Sequence, residues 1–205
     1  MNTAALLSAR RTSALLLLGS LCGLAGVGLF INVYYGGTQF LPGYLIWERS
    51  LVAVAAVALL LGFAQLAAAL RTAGERRFSW IGLGTLGLGT VLTLVLEGST
   101  IVTGQENGTQ AGLSWMLLIW AFVVLTFLGQ AAFGAALLQT ALVPRWAGWL
   151  LIIWNLGWLA VIVVFSAGDP YYPVLFYLGP LVLGILLLRA SVPRAYSPDQ
   201  RPMPS

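Results

Sequence analysis

The stretch that decides the fold is SWIGLGTLGLGTVLTLVLEGSTIV, residues 79–102. Apart from hydroxyl side chains it is apolar, and its single charged residue is Glu97. A helix needs roughly 20 predominantly apolar residues to cross the hydrocarbon core of a bilayer. Within lipid a helix, unlike a single strand, satisfies its own backbone hydrogen bonds. The stretch therefore predicts a transmembrane helix that carries one acid.

The rest of the chain has the same character. Of its 205 residues, 60% are hydrophobic and only 8% are charged, and the mean hydropathy is +0.93. A soluble domain carries about 25% charged residues, so too few polar side chains are present to cover a surface in water. The composition indicates an integral membrane protein. The net charge of +4 is the arginine excess that sets membrane orientation, and no nucleic-acid partner is predicted.

Six apolar segments are separated by charged, polar or proline-containing stretches. We predict an all-α, polytopic membrane protein with six transmembrane helices in one compact bundle, which forms a single domain over residues 1–190. A proline-rich tail, residues 191–205, is predicted to be disordered and cytoplasmic. The predicted spans are 12–33, 45–70, 79–102, 113–140, 146–167 and 172–189.

The distribution of arginine predicts the orientation. With a cytoplasmic N-terminus, nine of the ten basic residues lie on the cytoplasmic side and only Arg49 lies outside. This is the pattern that the positive-inside rule gives for an even number of spans, and five or seven spans would scramble it. Both termini are therefore predicted to be cytoplasmic. Because arginine is the only basic residue type and the loops are short, we place the protein in the bacterial inner (plasma) membrane.

Glycine is frequent inside the spans. Gly19 and Gly23 form a G-x-x-x-G motif, and GLGTLG at 82–87 matches the spacing of a dinucleotide-binding loop. That loop requires a preceding strand, whereas this one lies inside an apolar span, so no nucleotide site is predicted. Small residues allow helices to approach closely in a membrane. The motifs do not distinguish contacts within the chain from a homo-oligomer or a membrane-protein partner.

The outer ends of the second and third spans hold a candidate site. Counting about 1.5 Å of rise per residue places Glu97 just below the outer surface, near the height of Arg49. We predict that these two residues pair across the two spans. Carboxylates and aromatic faces bind cations, so Glu97 and Arg49, with Glu48, Trp47 and Tyr44, are candidates for a ligand site. The alternative is that the same residues only cap the bundle.

Two amides, Gln130 and Asn155, fall near mid-membrane. Counting from the inner ends of the fourth and fifth spans puts Gln130 roughly 16 Å and Asn155 roughly 13 Å above the inner surface. Because the two spans are consecutive and antiparallel, we predict a polar interhelical contact between these residues. A substrate site at this level is the alternative.

Catalytic chemistry has little support in the sequence. The chain has no histidine and a single cysteine, Cys22, so the usual zinc, haem and Ser-His arrangements are excluded. We predict no metal and no cofactor, and we do not favour an enzyme.

One segment carries a resemblance. LLQTALVPRWAGWLLIIWNLGWL, residues 137–159, resembles a segment of small six-span bacterial membrane proteins, a domain-of-unknown-function class in which a cytoplasmic Leu-x-Pro-Arg-x-x-Gly turn joins two late helices. Leu142, Pro144, Arg145 and Gly148 match that turn. The resemblance implies a six-span fold and no particular activity.

Two functions follow as hypotheses. The first is a structural or accessory subunit of the bacterial inner membrane that contacts membrane lipids. The alternative is a carrier or binding protein for a small molecule or lipid, with a site in the outer half of the bundle. A cavity lined by Glu97 and Arg49 would favour the alternative, and a tightly packed interior with an apolar flank would favour the first.

Overall fold

The computed structural model describes residues 3–35, 43–103, 113–140, 142–165 and 174–191. Within these ranges the chain is all-helical and contains no β-strand, as the sequence predicts. The helices are α1 (Thr3–Tyr35), α2 (Tyr44–Thr72), α3 (Arg77–Thr103), α4 (Leu113–Leu138), α5 (Arg145–Phe165) and α6 (Val174–Ser191).

Helices α1 to α5 are long and apolar enough to cross a membrane. The chain is therefore a multi-pass membrane protein. Helix α6 is apolar but shorter, and residues 172–173 of the predicted sixth span lie outside the described residues. The predicted tail beyond Ser191 also lies outside them. The sixth span and the cytoplasmic position of the termini stay predictions.

Each of α1 to α5 packs against the next helix in sequence, and α6 packs mainly on α1. Neighbours are antiparallel: Thr12 hydrogen-bonds to Gln65 at one end of the α1–α2 pair, and Gly26 lies against Val52 nearer the other. We name the two ends by their charged residues. The glutamate end carries Glu48, Arg49 and Glu97, and the arginine end carries Arg10, Arg11, Arg71, Arg76, Arg77, Arg145 and Arg189.

Aromatic side chains fill the interior between the even-numbered helices. Phe63 of α2 and Phe133 of α4 are fully buried, and their ring centroids are 4.7 Å apart. Phe176 of α6 packs at 4.9 Å against Phe127 of α4. The backbones of α2, α4 and α6 make few direct contacts. Large rings therefore bridge the space that these backbones leave, and they hold the core together.

Glycines allow the closest helix approaches. A Cβ added to Gly148 of α5 would lie 2.8 Å from the carbonyl oxygen of Gly134 in α4, so the two backbones touch where these helices cross. In α1, Gly19 lies against Leu59 of α2, and Gly23 lies under the ring of Tyr177 in α6. Both glycines of the G-x-x-x-G motif of α1 therefore make contacts within the chain.

The turn between α2 and α3 is fixed by Glu75. Its Oε1 accepts a hydrogen bond of 2.7 Å from the amide of Phe78, and its Oε2 accepts one of 3.0 Å from the amide of Ser79. Amides in the first turn of a helix have no partner within the helix, and this carboxylate supplies one. Gly74 has a φ of +96°, a left-handed conformation that glycine adopts readily and that ends α2.

Candidate functional site

Three charged side chains meet between α2 and α3 near the glutamate end. Nη1 of Arg49 donates a hydrogen bond of 3.1 Å to Oε2 of Glu97, and Nε of Arg49 lies 3.2 Å from Oε2 of Glu48. The exposed fractions of Glu48, Arg49 and Glu97 are only 1%, 8% and 4%. The structure thus contains the predicted ion pair, with Glu48 as a third member. We call these three residues the glutamate cluster.

Two threonines of α3 close to the cluster form hydrogen bonds within their own helix. Thr93 and Thr100 lie one turn before and one turn after Glu97 on the buried side of α3. Each donates to its own helix, Thr93 to the carbonyl oxygen of Gly89 and Thr100 to that of Leu96. Burying a charge is costly unless it is paired. The ion pair of Arg49 and Glu97 connects α2 to α3. Removing either side chain would leave the other as a buried charge without this partner.

The two aromatic residues predicted at this site, Tyr44 and Trp47, differ in exposure. Tyr44 is buried in the first turn of α2, whereas Trp47 is 67% exposed. Successive residues of a helix point about 100° apart, and Trp47 therefore faces outward although Glu48 faces inward. The structure brings together the charges but does not add Trp47 to them.

Gln130 joins α4 to α6. Its Nε2 donates a hydrogen bond of 3.0 Å to the carbonyl oxygen of Phe176. In an uninterrupted helix that carbonyl would accept from the amide four residues later, but that position is Pro180, which has no N–H. Gln130 supplies the missing donor. This role of Gln130 was not predicted from the sequence, although a proline inside an apolar span indicates a carbonyl without a helical donor four residues before it.

Asn155 and Gln130 are both buried, but no hydrogen bond joins them. Nδ2 of Asn155 donates instead to the carbonyl oxygen of Leu151 in its own helix, at 2.7 Å. The two amides flank Gly179: a Cβ added there would lie 3.5 Å from Oε1 of Gln130 and 4.0 Å from Nδ2 of Asn155. Within the described part of the chain, Oε1 of Gln130 and Oδ1 of Asn155 accept no hydrogen bond. The predicted contact is replaced by separate bonds to backbone carbonyls.

Gln130 also lines an interior cavity of about 40 Å³. Its polar lining consists of Thr90, Thr93, Thr126, Gln130 and Tyr177. This volume holds roughly three water molecules, whereas sites for drug-sized ligands measure about 300–1,000 Å³. The cavity suits ordered water that hydrogen-bonds to the hydroxyls and to Oε1 of Gln130. It is too small for an organic substrate.

Comparison with known proteins gives no further constraint, because no protein family, no curated protein and no solved structure matches the chain. The functional argument therefore depends on the geometry of the glutamate cluster, the interior and the outward faces of the helices.

Proposed function

We propose that the protein is a six-span structural or accessory subunit of the bacterial inner membrane, with α6 as its sixth span and both termini in the cytoplasm. The distribution of arginine supports this orientation. The use of arginine as the only basic residue type and the short loops are the basis of the bacterial assignment. In this role the protein acts through an outward surface, on which another membrane helix packs.

An open glycine face on α3 is the observation that carries this proposal. Gly82 and Gly89 lie against Phe133 and Thr126 of α4, but nothing in the described part of the chain lies within 4 Å of a Cβ added to Gly84 or Gly87. A glycine inside a helix is about 1 kcal/mol less favourable than alanine, and against lipid alone it adds little apolar contact. Glycines on an outward face allow a second helix to approach closely.

The interior supports the same function. At the glutamate end, Arg49 is engaged by Glu48 and Glu97. The cavity that begins one turn of α3 below Glu97 measures only about 40 Å³. A carrier for a small molecule or lipid, with its site in the outer half, would need more space than the described residues leave in this cavity. The proposed subunit needs only that the cluster holds α2 and α3 together.

Site-specific photo-crosslinking in native membranes tests the proposal. Leu88 lies on α3 beside the open glycines, and Val163 lies on α5; both side chains are 61% exposed, so they form a matched pair. A photoreactive residue at position 88 is expected to give a discrete protein adduct, and the same residue at position 163 is expected to give none.

The mass of the adduct identifies the partner. An adduct of two copies of this chain assigns the surface to a homo-oligomer, and any other discrete protein adduct assigns it to a hetero-complex. Both results support an accessory role. The proposal is wrong if position 88 gives no protein adduct, or if both positions give the same adducts.

A further inference from the structure

Two cavities at the arginine end have no part in the proposed accessory function. The first, of about 570 Å³, lies between α1, α2 and α6; its walls are mainly alanines together with Leu66 and Leu187. The second, of about 650 Å³, is a depression open to the surface at the start of α5, and its lining includes Gln139, Thr140 and Arg145. Leu142 lines both cavities, so they adjoin. We call them the alanine chamber and the turn chamber.

The two chambers differ in chemistry. The alanine chamber has apolar walls, with hydroxyl groups from Ser8, Thr12 and Thr72, and it suits an alkyl chain. The lining of the turn chamber includes the polar residues Gln139 and Thr140 and the exposed Arg145. Guanidinium groups bind phosphate through paired N–H donors. A ligand that fits both chambers has an alkyl part and an anionic, phosphate-bearing part.

Charge at this end points to an anion as well. The described residues place seven arginines here: Arg10, Arg11, Arg71, Arg76, Arg77, Arg145 and Arg189. The acid among them is Glu75, which is 5% exposed and has both carboxylate oxygens bonded to amides of α3. Basic pockets between transmembrane helices bind the headgroups of anionic lipids. The positive charge of the arginine end therefore favours the binding of an anionic amphiphile over a neutral one.

We propose that the arginine end binds an anionic phospholipid, with its phosphate beside Arg145 in the turn chamber and an acyl chain in the alanine chamber. This site lies at the end opposite to the glutamate cluster. It does not depend on the partner surface of α3. A failure of the lipid experiment would leave the crosslinking result untouched, and the reverse also holds.

Native mass spectrometry tests the lipid site. The purified full chain in detergent is mixed with equal amounts of phosphatidylglycerol and phosphatidylcholine, and the lipid retained on the protein is measured. We expect phosphatidylglycerol to be retained preferentially. Arg145→Gln is expected to reduce its retention roughly fivefold, the usual effect of one basic residue near an anionic lipid surface. Ala190→Phe, which fills the alanine chamber, is expected to reduce the retention of both lipids.

Matched variants separate this site from general effects. Arg76→Gln removes an exposed arginine from the same end, and Ala160→Phe adds a ring to an exposed alanine of α5; neither residue lines a chamber. Ala160→Phe is expected to retain lipid like the unmodified protein. Arg76→Gln is expected to lose less phosphatidylglycerol than Arg145→Gln, because Arg76 contributes only to the overall charge of the arginine end. Ala68 is an exposed residue of the alanine chamber, and Ala68→Phe repeats the test if Ala190→Phe unfolds. Equal retention of the two lipids, or equal losses in Arg145→Gln and Arg76→Gln, would overturn the proposal.

Discussion

Gln130 in α4 donates its hydrogen bond to the carbonyl oxygen of Phe176 in α6, the carbonyl that Pro180 leaves without a helical donor. The lipid around the bundle offers no hydrogen-bond donor to such a group. Here the side chain of a neighbouring helix supplies the donor. The backbones of α4 and α6 make few contacts, so this bond and the aromatic core together fix how α6 sits in the bundle.

Gln130→Leu is expected to lower the free energy of unfolding by about 1–2 kcal/mol, because the carbonyl of Phe176 loses its donor. In the Pro180→Ala background the backbone N–H returns, and the same Gln130→Leu change is expected to cost less. Chemical unfolding in detergent micelles of the two single variants and the double variant measures the difference. Equal costs in both backgrounds would mean that Gln130 does not act through this carbonyl.

The glutamate cluster is expected to be structural. Glu97→Gln should lower the free energy of unfolding by about 1–3 kcal/mol, because Arg49 loses a charged hydrogen-bond partner inside the bundle. A double-mutant cycle of Arg49→Met and Glu97→Met isolates the pair, and the double variant should lose less stability than the sum of the single variants. Strict additivity, measured by thermal unfolding in detergent, would show that the two residues do not stabilise each other.

The crossing of α4 and α5 is expected to tolerate no side chain. Gly148→Ala would place a Cβ 2.8 Å from the carbonyl oxygen of Gly134, so the helices must separate, at a cost of about 1–3 kcal/mol. Gly157→Ala on the same helix meets nothing within 4 Å in the described part of the chain. It should be neutral or stabilising by up to about 1 kcal/mol. Thermal unfolding of both variants makes the comparison, and similar losses in the two would contradict the observed crossing.

The packing of the Tyr177 ring against α1 is expected to require glycine at position 23. An added Cβ at Gly23 would collide with the ring of Tyr177, whereas one at Gly28 meets nothing within 4 Å among the described residues. Gly23→Ala should therefore lower the unfolding temperature in detergent, and Gly28→Ala should leave it unchanged. Adding Tyr177→Leu to Gly23→Ala should restore part of the loss. No restoration would mean that the ring is not the source of the strain.

Height along a helix can be predicted from sequence, and this is why the pair of Arg49 and Glu97 could be found. The rise per residue fixes the level of each side chain, and among the described residues Arg49 is the one arginine at the glutamate end. Rotation about the helix axis is harder to read in these spans, because apolar residues occur on every face. Trp47 was therefore grouped with Glu48, although it faces outward.

The partner of Gln130 shows a second limit. Gln130 and Asn155 have similar heights, and pairing them assumed that side-chain amides seek each other. In the structure both donate to backbone carbonyls, and for Gln130 the deciding residue is Pro180, which lies on a third helix. The chambers at the arginine end were not predicted from the sequence. The alanine chamber is lined mainly by small side chains from three helices, α1, α2 and α6, and the sequence does not give how these helices pack.

The mass of the complex extracted from native membranes tests the proposed function most directly. A single chain weighs 21.9 kDa. We predict that native mass spectrometry finds this chain in a heavier protein complex. The double substitution Gly84→Leu and Gly87→Leu is expected to release the chain from that complex. Gly157→Leu changes an equally open glycine of α5 and is expected to leave the complex intact. A wild-type protein that appears only as a single chain with bound lipid, or a complex that survives the paired glycine substitutions, would contradict the account.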